Sequence, residues 1–177
     1  DNALATSVDL NALSSVGGSV VIEDNVSATT IALGSVSSVT GGVTIAGNTS
    51  VTTVDLNQLT SASSVSIDGN TAATTVDLSS LGSTTGSVSI DGNTAATTVD
   101  LGSLTAVGGS VAIDGNTAAS TVDLSNLGTV SGTVAIDGNT AAATVDLSGL
   151  VSAGSVVITD NASAATVDLS SVSAVTG

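Results

Sequence analysis

The sequence contains no lysine, arginine, histidine, cysteine, methionine, proline or aromatic residue. Each absence excludes something. Without a basic side chain nothing can neutralise a phosphate, which excludes nucleic acid as a partner. The 15 acids give a net charge of −15, and that turns the chain away from anionic membranes as well. Without His, Cys, Lys or Tyr the usual catalytic bases, nucleophiles and acids are missing, so no enzyme is expected. Without cysteine there is neither a disulfide nor a thiolate metal site. No stretch reads as a signal peptide, and no apolar run is long enough to span a bilayer.

What is present is a repeat. Asn2, Asn25, Asn48, Asn70, Asn93, Asn116, Asn139 and Asn161 follow one another at 22 or 23 residues. Six residues after each Asn comes an apolar-x-Leu triplet, from Val8-Asp9-Leu10 to Val167-Asp168-Leu169. Near-fixed spacing over so many copies means stacked coils, each one resting on its neighbours. The prediction is an all-β, single-chain β-solenoid of eight 22–23-residue coils, one domain over residues 1–177. Strict apolar columns argue against disorder despite the Ser/Thr-rich, charge-poor composition.

One coil shows the logic. Val65-Ser66-Ile67 alternates, which is strand pattern. Asp68-Gly69-Asn70 follows as a turn, because Gly and Asn tolerate left-handed backbone angles. Ala73 stands three residues after Asn70. Thr75-Val76-Asp77-Leu78 alternates again, with Val and Leu inward and Thr and Asp outward. Leu81 comes three later, and a Ser/Thr/Gly corner leads to Val88-Ser89-Ile90. The inward set is V, I, N, A, V, L, L and one variable small or branched residue. Short strands joined by tight corners make either a flattened or a three-sided coil. Two coils are one residue short, between Leu59 and Val65 and between Leu150 and Val156. A loss there trims a corner and leaves the strands in register. Burying a Val or Leu stabilises by roughly 1.5–3 kcal/mol, enough across a coil to offset much of the ordering entropy of a thin core.

The columns V-x-I-x-x-N-x-x-A-x-x-V-D-L-x-x-L-x-x-V-x-G resemble the leucine-rich-repeat-like solenoids of the receptor L-domain type. The resemblance covers all the coils. It implies a right-handed single-chain solenoid in an extracellular or cell-surface setting, where that family includes ligand receptors, wall proteins and adhesins.

Three columns are candidates for function. The Asn column reads as an inward ladder whose amides bond to the turn backbone and to the Asn above and below. Asn25, Asn48 and Asn161 also fit the N-glycosylation motif, but inward side chains are expected to stay unmodified. The Asp column is Asp9, Asp55, Asp77, Asp100, Asp123, Asp146 and Asp168, interrupted by Ala32. A second acidic column holds Glu23, Asp68, Asp91, Asp114 and Asp137. At the strand spacing of about 4.8 Å, neighbouring carboxylates repel by roughly 1 kcal/mol in water and more near an apolar wall. Bound cations, salt or raised pKa values would relieve this. Asp55, Asp77, Asp100, Asp123, Asp146 and Asp168 are therefore the candidate metal ligands, with calcium the ion that suits oxygen donors. A solvated acidic face is the simpler reading. The outward Thr column, Thr30, Thr53, Thr75, Thr98, Thr121, Thr144 and Thr166, suggests an ice-binding face, although the β-propensity of Thr accounts for it more simply.

The functional expectation is a structural extracellular solenoid forming a fibre, stalk or surface-layer element. The alternative is a calcium-dependent adhesin or ice-binding module. The repeat places Asp1-Asn2 in a turn and Thr176-Gly177 in a corner. The chain then reads as a segment of something longer, whose uncapped ends take a second copy of itself; glycans are the other candidate partner. With no Lys or Arg, trypsin has no cleavage site. The folded chain is expected to survive overnight trypsin and chymotrypsin intact on a gel. Rapid chymotryptic cutting after Leu under native conditions would show coils that open readily.

Overall fold

The computed structural model describes residues 2–177; Asp1, assigned by the repeat to the first turn, lies outside them. The described residues form strands, turns and corners with no helix. All strand pairings are parallel and join a segment to its counterpart one coil away, as in Val76 with Val99 and Ile90 with Ile113. This is the β-solenoid that the spacing predicts. Its first sheet has eight strands, which bound seven full turns.

A typical coil holds three strand segments: Thr75–Asp77, Ser83–Thr84 and Val88–Asp91. The Thr-Val-Asp segments stack into the eight-stranded sheet, and the other two stacks belong to one thirteen-stranded sheet. The sequence left a flattened and a three-sided coil open. The structure has three segments in two sheets, because Thr129–Asp137 and Ser152–Thr159 run through the corner as single strands. The residue missing between Leu150 and Val156 is absorbed there. Register shifts between Val130 and Thr133, and the flanking pairs stay aligned.

The two three-residue spacings are turns. Ala73 N–H donates to Asn70 O at 2.9 Å, and Leu81 N–H donates to Leu78 O at 2.9 Å. Both ends of each turn point inward, so the sequence shows an inward residue every third position there. Ahead of each central Asn the chain needs a left-handed residue. Gly69 has φ +60° and Gly92 +61°, angles that cost an L side chain about 1–2 kcal/mol. Asp24 and Asp160 hold the same position at φ 55° and 51° in coils near the two ends. Asp is one of the few side chains that visits this region.

The inward set is buried as expected. Val65, Ile67, Asn70, Ala73, Val76, Leu78 and Leu81 are at most 1 % exposed, and Thr84 fills the variable position. Its hydroxyl donates to Gly86 O at 2.8 Å. One apolar cluster runs from Val20 to Ala153. The coils beyond it are more open: Val8 and Leu10 are half-buried, and Val167 is 43 % exposed.

The Asn column forms a continuous ladder. Asn93 Oδ1 accepts from Asn70 N–H at 3.1 Å and from Asn70 Nδ2 at 3.2 Å. Asn93 Nδ2 donates to Ile67 O at 2.9 Å, Asp91 O at 3.0 Å and Asn116 Oδ1 at 3.3 Å. The same pattern repeats through the central coils, and no buried side-chain polar atom among the described residues lacks a partner. Every amide oxygen points toward the N-terminal coil, so the dipoles align and polarise one another. Replacing Asn93 by Ala orphans donors and acceptors on two coils, each worth about 1–3 kcal/mol when buried. Asn93→Ala is expected to lose at least roughly 3 kcal/mol in urea unfolding. The adjacent exposed Thr94→Ala should stay within about 0.5 kcal/mol. Equal effects would remove the ladder from the stabilising core.

Candidate functional site

In the Thr-Val-Asp strands, alternation sends Val into the core and Thr and Asp outward. Parallel pairing then stacks like on like: Thr75 with Thr98, Asp55 with Asp77, Asp77 with Asp100, and Asp146 with Asp168. The structure thus assembles Asp55, Asp77, Asp100, Asp123, Asp146 and Asp168 into one file. Asp9 is separated from that file by Ala32, which pairs with both Asp9 and Asp55.

The sequence reading missed one role of this column. Each Asp caps the turn that follows it. Asp77 Oδ1 accepts from Ser79 N–H at 2.9 Å, Asp100 Oδ1 from Gly102 N–H at 2.9 Å and Asp146 Oδ1 from Ser148 N–H at 2.9 Å. The same bond recurs at Asp9, Asp55, Asp123 and Asp168. This is the Asx turn, in which a short side chain satisfies the backbone two residues on. The signal was in the sequence as Asp placed one residue before the turn-forming Leu. At Asp168 the Ser170 hydroxyl and N–H hold the carboxyl below its ordinary value. Its contribution to stability is present above the unfolded pKa and lost as pH falls through the folded one.

The second column also stacks in register, Asp68 with Asp91, Asp91 with Asp114 and Asp114 with Asp137. Asp137 accepts from Thr159 Oγ1 at 2.7 Å. Partial burial pushes the Asp91 carboxyl up, the charges of Asp114 and Asp68 push it further, and the Gly92 N–H pulls it back. A raised acid favours the folded state below its unfolded pKa. That stability is lost as pH rises through the folded pKa.

Among the described residues no three Asp or Glu side chains gather in an arrangement that could hold a metal ion. The carboxylates stand in single file, so an ion between two rungs would complete its shell with water or carbonyl oxygens. An indentation of about 560 Å³ on this face lies where Ala32 and Gly34 replace larger side chains, between Asn11, Thr30, Thr53 and Asp55. The Thr hydroxyls one residue earlier in the coil are turned to the backbone: Thr74 Oγ1 donates to Thr52 O at 3.2 Å and Thr97 Oγ1 to Thr74 O at 3.3 Å. Of the three glycosylation motifs, Asn25 and Asn48 are buried in the ladder. Asn161 is half-buried, with Nδ2 donating to Ile136 O and Thr159 O at 2.8 Å.

No known protein family, curated protein or solved structure matches this chain.

The Asx bond and the like-charge repulsion act on one side chain with opposite signs. Asp77→Asn keeps the Oδ1 acceptor and removes the charge. It is expected to stabilise by about 1 kcal/mol at neutral pH and low salt, an effect that shrinks as salt rises. Asp77→Ala removes both and should gain nothing. Thermal melts of the two variants check this; destabilisation by Asn equal to that by Ala would show that the charge itself is needed.

Proposed function

We propose that the protein is a structural, non-enzymatic element of the cell exterior, a solenoid that builds a fibre, stalk or surface layer by end-to-end stacking of coils. The observation that carries this reading is the one-way, in-register ladder: each Asn N–H from Asn25 to Asn139 meets the amide oxygen of the following coil, so every coil is a template for the next. Leu169 and Val175 are 36 % and 51 % exposed in the last coil, and Leu13 is 41 % exposed in the first. The Asn161 N–H sits where every earlier Asn N–H meets the amide oxygen of the next coil. The ladder is one-way, so a joint between copies is head-to-tail. Such a contact does not close on itself and propagates as a filament. A periodic face supplies no unique reaction centre. The likeness of the repeat to leucine-rich-repeat-like solenoids of the receptor L-domain type belongs to this reading, as a shared extracellular scaffold.

A second reading, a calcium-dependent adhesin or ice-binding module, draws support from the in-register Thr and Asp columns. Thermal hysteresis tests the ice arm, and glycan binding abolished by EDTA tests the calcium arm.

Electron microscopy and light scattering of the isolated chain at micromolar concentration test the stacking. Filaments are expected with an axial repeat near 38 Å, from eight levels at about 4.8 Å. Leu169→Glu should abolish them. Strict monomers whose end coils are protected in hydrogen exchange would defeat the proposal.

A further inference from the structure

The outward Asp column of the eight-stranded sheet breaks once, and the break leaves a backbone donor without its partner. In every other coil the N–H two residues after this column is met by the Asp, from Asn11 to Ser170. In the second coil Ala32 stands in the Asp position and Gly34 carries that N–H. The turn is unchanged, since Val36 N–H donates to Leu33 O at 2.9 Å. The Gly34 N–H therefore points to where a carboxylate stands in the other coils, and it meets no acceptor among the described residues.

The neighbouring coils lean into the gap. A Cβ placed on Gly34 would stand 3.4 Å from Asp55 Oδ2, in the following coil, and 3.9 Å from Asn11 Oδ1, in the preceding one. At Gly102, the matching position in an intact coil, the one such neighbour within 4 Å is the oxygen of its own cap, Asp100 Oδ1 at 3.2 Å. Asp55 Oδ1 is taken by the Asn57 N–H, so Oδ2 is the oxygen left to face the gap. The indentation here, about 560 Å³, falls within the range of about 300–1,000 Å³ usual for small-molecule sites.

We propose that this notch binds one unit of a neutral saccharide, with a sugar hydroxyl taking the place of the missing carboxylate. The donors and acceptors argue for that class. A hydroxyl accepts and donates through one atom. It can take the Gly34 hydrogen bond and donate to Asp55 Oδ2, a charge-assisted bond. The Asn11 amide offers a donor and an acceptor to the adjacent hydroxyl. A peptide group holds its donor and acceptor on different atoms that point apart, and it cannot serve Gly34 and Asp55 together. An anion is turned away by Asp9 and Asp55, which pair with Ala32 from its two sides. A cation would face the Gly34 N–H, and no three acids gather to outweigh it among the described residues.

The notch opens on the side of the solenoid, so binding depends neither on end-to-end stacking nor on calcium. Saturation-transfer NMR of the unmodified chain in EDTA, with methyl α-mannopyranoside and methyl α-galactopyranoside as probes, tests it. Transfer to at least one glycoside is expected at millimolar concentration. The Gly34 amide signal should shift in a labelled Leu169→Glu chain, in which stacking is blocked. Ala32→Asp restores the cap that the other coils have, and should weaken binding at least roughly tenfold. Asp55→Ala should do the same through the lost acceptor, and Ser66→Ala, on the other sheet, should leave binding intact. Circular dichroism melts confirm that each variant is folded. A neutral galactomannan in the same assay separates two sources of the sugar: a polymer ligand binds more tightly than either glycoside, a free sugar does not. Three results would overturn the proposal: no transfer to either glycoside, binding that Ala32→Asp leaves unchanged, or a Gly34 shift caused by calcium or by N-acetylalanine-N-methylamide and not by the glycosides.

Discussion

The nearest neighbours of most side chains in the central coils are counterparts of themselves, about 4.8 Å above and below. That constraint governs the rest of the structure. A column survives if its residue packs well against itself. Val, Ile, Leu and Ala do, and they fill the core from Val20 to Ala153. Asn does because its amide is both donor and acceptor, so one residue type can satisfy its own stack and the turn carbonyls beside it. The buried Asn column is polar yet complete. It also has a direction, since each Oδ1 serves the coil before it.

Asp is the residue that tolerates self-stacking least, and the chain carries two columns of it. The structure shows what each carboxylate of the first column does locally: it caps the turn after the Thr-Val-Asp strand. The bond is short-range and recurs in every coil that has the Asp. Repulsion between rungs is moderated by water and salt. The second column lies beside the left-handed Gly corner. There Asp91 is pressed by burial and by its two stacked neighbours. Each sheet thus carries one outward acidic column, at the end of the Thr-Val-Asp strands and at the end of the Val-x-Ile strands.

Solenoid stability is a sum over nearest-neighbour coils. Central coils have two neighbours and bury their columns almost completely; the end coils have one, and Val167, Leu169 and Val175 remain partly open. The ends therefore open most easily and offer the most apolar area to another coil.

The sequence by itself determined the period, the inward set, the corner at which a residue can be lost, and the burial of the Asn column. These are readable because the repeat is its own alignment: position 76 and position 99 must do the same thing. Three features were decided by the tertiary structure. The second and third strand segments share one sheet, because the Thr129–Asp137 strand continues through a corner that composition alone marks as a turn. The Asp side chains turn back to the N–H two residues on, because the Leu-x-x-Leu turn leaves that donor unpaired beside them. The direction of the amide ladder follows from the order in which coils stack. A periodic pattern reads the same from either end, so its spacing holds no information about which way the oxygens point.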